Sequence, residues 1–203
     1  MMGKTHLAIG IASALVLMEP QTLSDCLVTI AGGAIGGVLC DIDILDNDYE
    51  RDIFNVQSMA IGITAIVLVI DYFLQNGICT FISNNENALG GGILFALLCV
   101  IGYKSSHRSF THSFFALFLF SIVLRWFYPP VVNSFAIGFL SHQLLDFLNK
   151  KKIRLFYPMD VGLCLGLCYA DGIMNKLFML LGWCVCSLCL LKFIMFSFFH
   201  VIY

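Results

Sequence analysis

Seven apolar runs, parted by short polar breaks, leave this 203-residue chain little choice of solvent. They cover residues 5–18, 24–39, 58–74, 88–103, 113–127, 131–147 and 174–203. A helix crossing the hydrocarbon core needs about 20 apolar residues, fewer where polar side chains snorkel at its ends. The residues are 60% hydrophobic and only 12% charged, against roughly half and a quarter in soluble domains. A water-soluble fold of this length cannot hide so much apolar surface. The expected architecture is therefore an all-α, polytopic transmembrane helical bundle of about six to seven helices, in a single domain over 1–203.

The breaks are Glu19-Pro20, an acidic stretch 41–52, a polar loop 84–87, the segment 104–112 and Pro129-Pro130. A proline pair cannot continue a helix. The apolar stretch 163–169 is too short to span and is expected as a re-entrant or interfacial segment. Lys4 precedes the first run, and Ala12-Ser13-Ala14 faintly resembles a signal-peptide cleavage site. That tripeptide falls inside the run, so an uncleaved first membrane helix is expected. Nine cysteines lie mostly in apolar runs, where cysteine behaves as a small hydrophobe. The same reading covers Cys184, Cys186 and Cys189 despite their C-x-x-C spacing. The net charge of −2 gives no field for nucleic acid.

The few ionisable residues are oddly placed. His6, Asp41, Asp43, His107, His112, His142 and Asp146 stand at the ends of apolar runs. A polar side chain at membrane depth is costly and seldom idle. If the runs alternate across a bilayer, all seven residues arrive on one side. That side also carries Lys4, Arg51, Lys104, Arg108, Lys150, Lys151, Lys152 and Arg154, against Arg125 on the other. Lys and Arg accumulate on the cytoplasmic face, so a cytoplasmic site is expected. Asp71 and Arg125 fall near the opposite ends of their runs and are expected to pair.

Three constellations suggest a divalent metal. His142 and Asp146, four apart, share one helical face, a spacing suited to metal ligation. Asp41-Ile42-Asp43 ends a helix rich in glycine, and two such carboxylates repel unless a cation sits between them. Asp46, Asp48, Glu50 and Asp52 read as solvated. His107-Arg108-Ser109-Phe110-Thr111-His112-Ser113 packs two imidazoles, a guanidinium and three hydroxyls into seven positions. Imidazole suits zinc, iron or manganese, and the forked guanidinium suits phosphate.

In this order the motifs resemble a LexA-regulated family of bacterial inner-membrane metal-dependent hydrolases (YdjM-like). The resemblance rests on Thr5-His6, Cys40-Asp41-Ile42-Asp43, residues 107–113, His142 with Asp146, and Pro158. It covers roughly residues 1–160. Cys40 stands for the family's usual proline and Ser109 for its usual glycine. A looser similarity links the scattered His and Asp to zinc-dependent phospholipase C type sites. The resemblance implies a metal hydrolase in the inner membrane, and the looser one points toward phosphoesters.

Seven candidate ligands exceed the four that close a structural zinc site. One or two ions are thus expected: zinc first, manganese or iron as alternatives. An activated water would attack a phosphoester of a lipid or lipid-linked substrate. Arg108 would stabilise charge developing on phosphate, Asp43 or Asp146 would orient the water, and Thr111 would support ligands or substrate. The run 150–154 fits anionic headgroups. Two rival readings use the same residues: a divalent-metal transporter or channel, and an interaction protein with a structural metal. A transporter would gather its ligands near the bilayer midplane, whereas here they gather at helix ends.

Overall fold

A computed structural model describes residues 1–44, 50–74 and 77–202, without the side chains of 50–53 and 198–202. Asp46 and Asp48 lie outside the described residues, as do the side chains of Glu50, Arg51, Asp52 and His200. Eight α-helices follow in order: α1 (Gly3–Met18), α2 (Leu23–Leu39), α3 (Glu50–Leu74), α4 (Ile78–Asn84), α5 (Glu86–Lys104), α6 (Phe114–Phe127), α7 (Val132–Leu148) and α8 (Ile173–Ile202). Short 3-10 turns at Cys40–Asp43, Phe110–His112 and Pro129–Val131 lead out of α2, into α6 and into α7. Five segments are long and apolar enough to cross a membrane: Leu23–Asp43, Phe54–Leu74, Glu86–Lys104, Pro129–Leu148 and Ile173–Ser197. The two shorter apolar helices are α1 and α6. The seven expected spans thus appear as helices, and α4 is an addition.

The bundle is built around α2, which packs most extensively on α7 and α1. Glycine makes this closeness possible. A Cβ added at Gly36 would lie 2.2 Å from the carbonyl oxygen of Phe135 on α7. One added at Gly37 would lie 2.7 Å from the carbonyl oxygen of His6 on α1. Small residues let membrane helices approach backbone to backbone, where lipid supplies no hydrophobic drive. This seam draws the start of α1, the end of α2 and the end of α7 toward one another. Much of the outer surface is apolar, including Ile61, Leu89 and Ile173, as a lipid solvent requires.

Two expectations are corrected, and one segment takes a definite form. Residues 163–169, expected as re-entrant or interfacial, are not helical. They return as extended chain along the end of α7, where the Leu165 N–H donates to the Phe147 carbonyl and the Leu167 N–H to that of Leu148. Asp71 pairs not with Arg125 but with the start of α4: its carboxylate accepts from the N–H groups of Ile78 and Cys79 at 3.1 and 2.9 Å. The helix-terminal donors offer a buried carboxylate more than an exposed guanidinium can. Lysine is also present at the far end: Lys192, low on α8, lies 3.5 Å from Glu19.

The segment after α7 folds back over the 107–114 region. The Phe114 N–H donates to the Leu155 carbonyl and the Arg154 N–H to the Arg108 carbonyl, both at 3.0 Å. Asp160 pairs with Arg154 at the surface, 2.7 Å away.

Candidate metal centre

Four segments distant in sequence meet where the glycine seam ends. His142 sits on α7, one turn before Asp146. Its Nδ1 lies 2.8 Å from the carbonyl oxygen of Gly37. A carbonyl can only accept, so Nδ1 carries the proton and the Nε2 lone pair faces inward. His112 closes the Phe110–His112 turn and is fully buried. Asp41 enters from the turn that ends α2.

Asp41, His112, His142 and Asp146 each offer one ligand atom, and these atoms lie within 4.8 Å of one another. The two Nε2 atoms are 3.3 Å apart. Asp146 Oδ2 is 3.4 Å from Nε2 of His112 and 3.9 Å from that of His142. Asp41 Oδ1 is 3.7 and 3.6 Å from the same two atoms. Four donors about 2.0–2.1 Å from a tetrahedral zinc ion stand about 3.3 Å apart. The set therefore fits one such ion with little movement. Asp146 Oδ2 is buried without a hydrogen-bond partner, although Arg108 Nη2 lies 3.2 Å away. Such a carboxylate oxygen is expensive to leave uncompensated.

Asp43 faces the other way. Its Oδ2 accepts from the Thr111 hydroxyl at 2.7 Å and from the Arg108 N–H at 3.0 Å. Its Oδ1 lies 2.9 Å from Nδ1 of His107. The same carboxylate is 3.6 Å from Nδ1 of His112, a carboxylate behind a ligand imidazole. Burial opposes charge on His112, but the nearby carboxylates of Asp146 and Asp43 outweigh it and push the imidazole up to about 9.

Arg108 holds a left-handed backbone, φ 63°, which a non-glycine residue adopts at a cost. Its Nη1 donates to the Lys151 carbonyl at 3.1 Å, and its Nε lies 3.2 Å from Nε2 of His107. Of the departures from the resembling family, Cys40 has φ −58°, a value natural to proline.

Of the seven expected ligands, four form the compact set and three surround it. His6 stacks on His142 with ring centroids 3.7 Å apart. Its Nε2 is 3.3 Å from Asp146 Oδ1, and neither ring nitrogen has a hydrogen-bond partner. The Met1 amine also contacts that oxygen. His107 is partly exposed, on the rim. Cys184, Cys186 and Cys189 are free thiols on α8, and none joins the four-donor group. Asn175 was not expected. It receives the Thr5 hydroxyl at 2.8 Å and so pins α1 to α8 beside the site. Its signal was a lone amide at the start of the last apolar run.

Outside the four donors lies a chamber of about 730 Å³. Asp41, Asp43, His107, Arg108, Lys150 and Lys151 help to line it. Its lining mixes the cations of Arg108, Lys150 and Lys151 with the carboxylates of Asp41, Asp43 and Asp171.

The family described as YdjM inner membrane protein matches residues 1–201. No curated protein and no solved structure matches the chain.

Proposed function

The chain belongs to the YdjM inner membrane protein family, and on that premise we propose that it is a metal-dependent hydrolase cleaving a phosphoester of a lipid or lipid-linked substrate. The observation that carries the reading is the buried Asp41–His112–His142–Asp146 set beside a polar chamber. A divalent ion held there, zinc before manganese or iron, supplies Lewis acidity and brings the pKa of a water near 7.

The protein's own groups do the rest. Asp41, His112, His142 and Asp146 hold the ion. Asp43 orients His112 and, through Thr111 and the Arg108 backbone, the whole 107–112 segment. Arg108 turns its guanidinium between Asp146 and the chamber, where it meets phosphate oxygens as charge develops on them. Asp146 offers its second oxygen to His6, and these two residues would hold a second ion. Lys150 and Lys151 draw the anionic headgroup in, and the excess of Lys and Arg at this end supports a cytoplasmic site.

The test is metal per chain in detergent-purified protein, beside phosphoester turnover on a lipid panel. About one ion or two per wild-type chain should fall to near zero in His142→Ala and Asp146→Ala. Arg108→Ala should keep the metal and lose about 10²–10³ in turnover, as when a transition-state donor is removed. Metal-replete protein that moves ions across vesicles without hydrolysing any lipid would sink the proposal.

A further inference from the structure

A second cavity, of about 410 Å³, lies on the other side of the Cys40–Asp43 turn. It runs between α3 and α5 with α2 as its floor, and Ile42, Gln57, Ala60, Thr64, Leu68 and Phe95 mark its course. α3 leans on α2 and α5 on the Cys40–Asp43 turn, while the two helices hardly touch each other. The Thr64 hydroxyl is spent on the Ala60 carbonyl at 2.9 Å. Below Gln57 the groove thus offers hydrocarbon only.

Its position matters more than its apolarity. Ile42 lines the groove while its neighbours Asp41 and Asp43 line the polar chamber. One turn of chain therefore joins a polar headgroup chamber to a hydrocarbon slot. From Gln57 to Leu68 the slot follows α3 for eleven residues, about 16 Å at 1.5 Å per residue. That is close to half of a hydrocarbon core about 30 Å thick. The slot starts at the level of the metal site and ends near the midplane.

We infer that this groove is an acyl-chain site: the lipid whose phosphoester reaches the metal lays one fatty-acyl chain between α3 and α5. The inference rests on the hydrolase reading and narrows it, because the substrate becomes a phospholipid of the leaflet that faces the site. The chain fixes the headgroup's depth, so tail and head are recognised on opposite sides of Ile42.

Ala65 and Thr64 line the groove from the lipid-facing side of α3, so Ala65→Phe and Thr64→Phe fill it without touching the packed core. Val69, exposed on the same helix, provides Val69→Phe as control. Filling the groove should lower kcat/KM on a long-chain phospholipid about tenfold. A six-carbon-chain analogue should be hydrolysed within about twofold of wild type, since it never reached the slot. Val69→Phe should behave as wild type on both, and metal content should stay constant throughout. A phospholipid carrying a diazirine in its acyl chain gives a readout independent of turnover. Its adducts should concentrate on residues 57–68, 95 and 99. Adducts spread evenly over the lipid-facing helices, or equal slowing of short and long substrates, overturns the inference. If the wild type hydrolyses neither substrate, the hydrolase reading fails, and the adduct map still decides the groove.

Discussion

Asp41 and Asp43 stand one residue apart in a 3-10 turn, and that spacing turns their carboxylates to different tasks. Asp41 joins the ligand set, whereas Asp43 is taken up by donors from Thr111, Arg108 and His107. Sequence marks the pair but not the division, because the donors that occupy Asp43 come from a segment about 65 residues away. His112 feels both the ligand set and Asp43. Its imidazole is raised from 6.5 to about 9 in the metal-free protein. A group raised on folding stabilises fully below its unfolded value and loses that contribution as pH rises through its folded value. The metal-free protein should therefore lose stability between pH 6.5 and about 9, and metal should restore it. A metal ion must also expel that proton, so its apparent affinity should rise with pH and level off near 9. Asp43→Asn should move the plateau to lower pH and cost about 10–100-fold in affinity. Zinc titration followed by calorimetry across this pH range measures both. A pH-independent affinity in the wild type would contradict the assignment of His112.

The glycines of α2 do more for the site than any single ligand, since they set how near α1 and α7 can come. Gly36→Ala should be strongly destabilising. Its methyl group would lie 2.2 Å from the Phe135 carbonyl oxygen, and overpacking against backbone costs about 1–3 kcal/mol or more. Metal content should fall with it, because α7 carries His142 and Asp146. Gly62 on α3 has nothing within 4 Å of an added Cβ. Gly62→Ala should leave metal unchanged and be neutral or stabilising by up to about 1 kcal/mol. Thermal unfolding in detergent, with metal analysis, separates the two. The elements themselves follow from hydropathy alone, because a lipid solvent allows little besides helix. Two pieces do not. α4 is preceded by Gly77, whose φ of 101° only glycine adopts freely, and owes its cap to Asp71, seven residues before Ile78. Residues 149–168 pair with the end of α7 and with the 107–114 segment through backbone groups. Backbone pairing carries no side-chain pattern, so its partners could not be read from residue order.

Among the described residues, seven apolar helices and the short α4 give the molecule two unlike ends. One holds the starts of α1, α3 and α8, the ends of α2, α5 and α7, and every candidate ligand. The other holds the α1–α2 and α6–α7 connections and α4. The convergence predicted by counting crossings holds because no run was missed or split; one error would have sent His142 and Asp146 to the opposite end. Lys4, Lys104, Arg108, Lys150, Lys151, Lys152, Arg154 and Lys176 lie toward the ligand end, against Arg125 and Lys192. Lys192 is moreover offset by Glu19. By the positive-inside rule, an imbalance of this size predicts a ligand end in the cytoplasm, where Lys150 and Lys151 would meet an anionic leaflet. Single cysteines at two exposed positions test the orientation. In intact cells a membrane-impermeant maleimide should label Gln21→Cys, on the α1–α2 connection, and leave Lys151→Cys unlabelled until the membrane is permeabilised. The wild type, whose exposed Cys184 lies along α8 among lipid-facing residues, gives the background. The reverse pattern would put the metal centre outside the cytoplasmic leaflet. The lipid proposed as its substrate would then belong to the outer leaflet of the inner membrane.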